Sequence, residues 1–170
     1  MSQKDFCCSS NIFISPFYNR CGFAKSQKAY DLAINELTAS FDKLEEILST
    51  RRFIAGDRLT LSDIRLFVTL LRFDEVYTVY FKCNTRSVAN SDTLLNYCRE
   101  IYQMTGVAGT VNMHQIKEHY YCSHPDLNRW SIVPKGPDFI KMLEKPHDRE
   151  STWEEEEDVM IVRVPISSKF

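Results

Sequence analysis

The hexapeptide Leu59-Thr60-Leu61-Ser62-Asp63-Ile64 constrains the fold of this chain more than any other stretch. Thr60 can accept from the backbone NH of Asp63, and the Asp63 carboxylate can reach back to the NH of Thr60. Leu59 is spaced to pack on Ile64, so a capping box and a hydrophobic staple start a helix here, with Thr60 and Asp63 as its N-terminal cap. The helix runs through Leu66, Phe67, Val68, Leu70, Leu71 and Phe73, apolar on nearly every side. Such a helix is expected to be buried and central, and it needs other helices around it.

Those helices are present in the pattern. Tyr30, Ile34, Leu37, Phe41, Leu44 and Leu48 recur at spacings of four and three, one apolar stripe on a helix of about two dozen residues, with Ser26 placed to cap it. Leu94, Leu95, Cys98, Ile101 and Tyr102 form another, with Gly106 as a left-handed stop. Thr110 to about Tyr121, with Val111, Ile116 and Tyr120 inward, gives a further helix. Pro125, Pro134, Gly136 and Pro137 mark an extended crossing before a short helix over Pro137 to Leu143. Period-two alternation is confined to a weak instance over Ile161 to Ile166. The predicted fold class is all-α.

With 170 residues, of which 44% are hydrophobic, the chain can bury one substantial core. Residues 1–18 read as an irregular leader, with no helical period to about Arg20, 19–149 as the helical domain and 150–170 as an acidic, disordered tail. That tail carries Glu150, Glu154 to Glu157 and Asp158 against Arg163 and Lys169. A net charge of -2 supplies no basic field for nucleic acid. No apolar run approaches the roughly 20 residues that span a bilayer. The six cysteines, Cys7, Cys8, Cys21, Cys83, Cys98 and Cys122, show no CxxC spacing, which fits a reducing, cytoplasmic setting. No membrane and no nucleic-acid partner is expected.

Common catalytic devices are missing from the pattern. His114, His119 and His124 fall five residues apart, so on a helix at about 100° per residue neighbours point some 140° apart, unlike a zinc-binding HExxH pair. No metal is expected. No Ser stands in a Gly-x-Ser-x-Gly elbow, and no glycine-rich phosphate loop occurs.

A longer series of words resembles a known family. Cys21-Gly22-Phe23-Ala24 with Gln27 and Tyr30, LTLSDIRLF (59–67), TLLRFDEVY (69–77), FKCN (81–84), IYQMTG (101–106), Thr110-Val111-Asn112, His119-Tyr120-Tyr121, Ser123-His124, Asn128, IVPKGP (132–137) and Lys145-Pro146-His147 stand in order. From Asn19 to about Arg149 the chain resembles the carboxy-terminal domain of the glutathionyl-hydroquinone reductases, the omega-like or xi class of glutathione transferases. It departs at Tyr80, where relatives have His, and at Arg129, where they have Pro.

The resemblance implies a glutathione transferase-type helical bundle that, in the family, follows a thioredoxin-fold domain with a catalytic cysteine before Pro and Trp. Neither Cys7 nor Cys8 has that setting, so the chain is expected to be a truncated form without its nucleophile and inactive alone. The implied reaction removes glutathione from a glutathionyl-hydroquinone. A thiolate attacks the thioether sulfur, the hydroquinone leaves, and a second glutathione resolves the mixed disulfide. Glutathione is the implied co-substrate, held mainly by the other domain, and a phenolic or hydroquinone molecule the implied ligand here.

Tyr120 matches a family tyrosine that holds a phenolic oxygen; on spacing alone it reads as a core tyrosine on the inner helix face, and the resemblance is what implies the pocket role. The family's other pocket tyrosine falls at Asn19, with Tyr18 one step early, so Tyr18 is a candidate. Tyr77 is another, though it also reads as a packing or interface residue. Arg72 and Asp74 read as structural pairs at the helix end and Lys82 as an exposed loop lysine. The competing function is a non-catalytic helical interaction module, pairing with itself or a full-length relative through an exposed apolar face.

Overall fold

The structure, a computed structural model, describes residues 15–149, and among these every regular element is helical apart from one isolated bridge between Phe53 and Gly56. The acidic tail and residues 1–14, with Cys7 and Cys8, lie outside the described residues. The first helix, α1 (Ser15–Gly22), starts inside the stretch expected to be irregular. Its own pattern is weak, and it is held by packing: Cys21 is buried and Phe17 and Tyr18 lie against the core. Short helices take most of their stability from such tertiary contacts.

Helix α2 (Gln27–Thr50) follows the predicted stripe. Ser26 Oγ accepts from the Ala29 NH at 3.3 Å, and Ala33, Ile34, Leu37, Phe41, Leu44 and Leu48 are buried. Helix α3 (Leu61–Arg72) begins at the predicted cap, where the Asp63 carboxylate accepts from the Thr60 NH at 2.9 Å and from its hydroxyl at 2.8 Å. The expectation of a helix buried on all sides is corrected. Leu66, Phe67, Leu70 and Leu71 face the core, but Leu61, Ile64 and Val68 are 53%, 49% and 40% exposed. Leu59 and Ile64, the expected staple pair, are 41% and 49% exposed, so that pair lies at the surface. Apolar composition does not choose the inward face; the neighbouring helices do.

Helix α3 passes into a π-helical turn, Phe73–Tyr77, and a short helix α4 (Thr78–Tyr80). All five residues of the turn are buried, including two carboxylates. Arg72 and Asp74, expected to pair at the helix end, bond elsewhere: Arg72 donates to the Val68 carbonyl, while Asp74 accepts from the NH groups of Val88 and Ala89 and the hydroxyl of Ser87 at 2.8–2.9 Å. Burial pushes the Asp74 carboxyl above its usual range, opposed by those three bonds. Glu75 binds the Lys117 ammonium at 3.0 Å and the Phe139 NH at 2.8 Å. The turn thus ties down both the 87–89 loop and the long crossing.

Helix α5 (Asp92–Gln103) is capped by Ser91 and stops three residues before Gly106, which is left-handed as expected at φ 89°. Its buried Glu100 receives Arg52 and Arg149. A 3₁₀ turn, Ala108–Thr110, precedes α6 (Met113–Ser123), which starts later than predicted because the Asn112 side chain caps it through the Gln115 NH. Lys117 and Tyr121 are its buried residues; Val111, Ile116 and Tyr120, expected inward, are half-buried against the core. Helix α7 (Phe139–Leu143) ends the crossing.

One glycine is fixed by close approach. A Cβ on Gly22 would meet the Phe81 ring at 2.0 Å, so α1 lies against Phe81 only because residue 22 has no side chain. Gly22→Ala is expected to cost about 1–3 kcal/mol of unfolding free energy by overpacking. Urea denaturation checks this, and an unchanged midpoint would refute the close approach.

Candidate functional site

The π turn also sets the position of Tyr77. Its ring stacks on Tyr18 of α1, with centroids 4.0 Å apart and planes 8° from parallel. Its hydroxyl lies 3.0 Å from that of Tyr120 on α6. Phe81 lies against all three rings at 5.6–6.2 Å. Three tyrosines far apart in sequence, Tyr18, Tyr77 and Tyr120, therefore form one aromatic wall, with offset and edge-on contacts of the kind that aromatic quadrupoles favour.

Their exposures differ. Tyr77 is 1% exposed, whereas Tyr18 and Tyr120 are half-buried. Burial first, and then the bond to Tyr120, pushes the Tyr77 phenol far above its usual range. It stays a neutral hydroxyl, able to orient Tyr120 but hidden from solvent. Tyr18 and Tyr120 keep part of their surface open. A stacking ring beside a phenolic donor and acceptor fits an aromatic alcohol.

Residues not offered as pocket candidates by the sequence complete the wall. Tyr80 packs edge-on to Tyr120 and Tyr121, and His124 lies 6.0 Å from Tyr80 and 5.7 Å from Phe23, centroid to centroid. The spacings Tyr77 to Tyr80 and Tyr120 to His124, three and four residues, place each pair on one helical face and were a legible signal. An open cleft of about 500 Å³ lies between α1 and α2, with Asn19, Arg20, Phe23, Lys25 and Leu32 among its lining residues; it is lined by none of the three tyrosines and meets the cluster through Phe23, 5.6 Å from Phe81.

Other candidates fall elsewhere. Thr60 and Asp63 serve the start of α3, and Lys82 is exposed on its loop, where its carbonyl accepts from the Tyr30 hydroxyl at 2.7 Å. Of the described thiols, Cys21, Cys83 and Cys98 are buried and Cys122 is exposed, all free. A bond from the Cys83 thiol holds the Cys21 thiol below its usual range, and the same bond pushes Cys83 up. Cys21 is only 1% exposed, so its lowered pKa does not present a thiolate to substrate. Among the described residues no group of three or more His, Cys, Asp or Glu is placed to hold a metal, and no helix is long and apolar enough to cross a membrane.

Residues 27–100 match the family model of the glutathione S-transferase C-terminal domain. Glutathionyl-hydroquinone reductase YqjG of Escherichia coli K12 is 43% identical over 131 residues, covering 77% of this chain and 39% of its own length. Glutathionyl-hydroquinone reductase PcpF of Sphingobium chlorophenolicum is 47% identical over 118 residues, 69% of this chain and 38% of its own. The chain thus spans about two fifths of the length of these curated relatives. Among solved structures, glutathione-bound YqjG superposes with a TM-score of 0.82 at 38% identity, over 89% of this chain and 49% of that one. A xi-class transferase from Natrialba magadii gives 0.80 at 41%, over 87% and 45%.

Proposed function

Because this chain belongs to the glutathione S-transferases through its C-terminal domain, of the glutathionyl-hydroquinone reductase kind, we propose that it forms the aryl-binding half of a glutathione-dependent reductase acting on glutathionyl-hydroquinones. The observation that carries this reading is the joining of Tyr18, Tyr77 and Tyr120 into one wall. Tyr18 stacks on the aryl ring, Tyr120 exchanges a hydrogen bond with a ring oxygen, and Tyr77 positions the Tyr120 hydroxyl. A wall of neutral phenols and apolar rings offers no cation to the carboxylates of glutathione. It suits the hydroquinone half of the conjugate, and glutathione as co-substrate is held elsewhere.

The thiol exchange needs an accessible thiolate; Cys21, Cys83 and Cys98 are buried, and the exposed Cys122 stands in the last turn of α6, the end of a helix that disfavours an anion. We assign the nucleophile to a cysteine of the thioredoxin-fold domain that the resemblance implies, and not to Cys7 or Cys8. Incubating the chain with a glutathionyl-hydroquinone and excess glutathione, and following glutathione disulfide, tests both points. Expected are no turnover by the chain alone and hydroquinone binding that Tyr120→Phe weakens about fivefold, the worth of one hydrogen bond near 1 kcal/mol. Turnover abolished by Cys7→Ser or Cys8→Ser would overturn the assignment of the nucleophile to another domain. Unaltered binding by Tyr120→Phe would overturn the role of Tyr120.

A second reading rests on the outward apolar row Leu61, Ile64 and Val68 of α3: the domain acts as a non-catalytic module that pairs with itself or with a full-length relative. Sedimentation of the chain with and without Ile64→Glu separates the two readings.

A further inference from the structure

The outer face of α3 carries more than an apolar row. Beside the exposed Leu61, Ile64 and Val68 run three arginines at seven-residue spacing, Arg58 in the turn before the helix, Arg65 within it and Arg72 at its end. Seven residues are close to two turns, so Arg65 and Arg72 share one face with Ile64 and Val68. Arg58 and Arg65 are exposed and hold no ion pair among the described residues, while Arg72 is half-buried and donates to the Val68 carbonyl. Exposed apolar and cationic side chains on one helix face fit a segment that is at once apolar and acidic.

The chain supplies such a segment at a fitting place. Arg149, the last described residue, is buried: its Nε donates to Glu100 at 2.6 Å, a second nitrogen donates to the Arg52 carbonyl, and its guanidinium lies over the Tyr97 ring at 5.7 Å. The Tyr97 hydroxyl in turn donates to Asp63 of α3 at 3.0 Å. The chain therefore leaves the described domain beside the start of α3. Glu150, Trp153, Glu154 to Glu157 and Asp158 come next, followed by Val159 to Val162. From Glu150 to Asp158 an extended chain reaches up to about 30 Å, against about 18 Å for the length of α3. Its acids can meet every arginine of the row.

We propose that the outer face of α3 is the docking surface for the chain's own segment 150–162, with Trp153 on Leu61 and Ile64 and the carboxylates of 154–158 against the three arginines. Exposed ion pairs contribute little singly. The tether makes docking intramolecular, so several weak contacts suffice. This docking is independent of the aryl-binding reading, and it closes the row to a second copy.

The test is acrylamide quenching of Trp153 in the full chain carrying Trp130→Phe, which removes the other tryptophan at a position 75% exposed. At low salt, Trp153 is expected to be shielded relative to the same chain unfolded in urea. Arg65→Glu exchanges an attraction for a repulsion; at about 1 kcal/mol the ratio of docked to free segment falls about fivefold, and quenching rises with it. Ile64→Ser should act in the same sense. Salt at about 1 M, with a Debye length of about 3 Å, should reproduce the effect of Arg65→Glu in the chain with Arg65 intact, which decides the matter even where a substitution alters the circular dichroism. Trp153 as open to quencher in the folded chain as in the unfolded one would overturn the proposal. Shielding indifferent to salt and to both substitutions would place the segment on another surface and overturn it as well. Shielding lost on dilution, with a dimer seen in sedimentation, would make a second copy the occupant and overturn the intramolecular docking.

Discussion

Replacing Glu75 with alanine is expected to destabilise the domain by about 3–5 kcal/mol, the cost of stranding one member of a buried ion pair. Glu75 is 2% exposed. One carboxylate oxygen takes the Lys117 ammonium at 3.0 Å and the other takes the Phe139 NH at 2.8 Å, while Lys117 also donates to the Lys135 carbonyl at 2.7 Å. The crossing presses close: a Cβ on Gly136 would lie 2.0 Å from the carboxylate, and Gly136 has a positive φ of 75°. Removing the carboxylate leaves a buried ammonium without its anion and an NH without an acceptor. Adding Lys117→Met should recover a large part of the loss, since the stranded charge is most of the penalty. Urea denaturation of the single and double variants measures both effects. A single-variant loss below about 1 kcal/mol, or no recovery in the double variant, would contradict this account. Tyr77 stands two residues along the same turn, so the single variant should also weaken the hydroquinone binding proposed for the tyrosine wall.

The second large effect is at Asp63, which is fully buried. Its carboxylate accepts from the NH groups of Ile54 and Thr60 at 2.8 and 2.9 Å, from the Thr60 hydroxyl at 2.8 Å and from the Tyr97 hydroxyl at 3.0 Å. It begins α3 and at the same time joins the turn before that helix to α5. Asp63→Ala is expected to cost about 3–4 kcal/mol, against about 1 kcal/mol for an ordinary helix cap, because donors on three separate segments lose their acceptor. Thr60→Ala removes only the local hydroxyl and should stay near the smaller value. Equal losses for the two variants, in thermal or urea unfolding, would mean that the bonds to Ile54 and Tyr97 contribute nothing.

Much of this architecture was legible in the order of residues. The stripe from Ile34 to Leu48, the caps at Ser26 and Thr60 and the left-handed glycine after α5 rest on short-range rules of spacing, capping and backbone freedom. Those rules act within a few residues and need no knowledge of neighbours. The ordered words from Cys21 to His147 identified the family for the same reason: they are a property of sequence. Tyr120 and Tyr77 emerged as candidates by that route, and Tyr18 as a near match.

What only the tertiary structure decided depends on contacts between distant segments. That α1 is a helix follows from its packing on α2 and Phe81, not from its own pattern. The outward face of α3 follows from where its neighbours lie, since leucine and valine do not specify a direction. The π turn buries Asp74 and Glu75 because acceptors there meet NH groups of the 87–89 loop and Phe139, a pairing across up to 64 residues that no local window contains. The joining of Tyr18, Tyr77 and Tyr120 is of the same kind: the sequence by itself determined the helices and the family, whereas the wall exists only where three elements pack side by side.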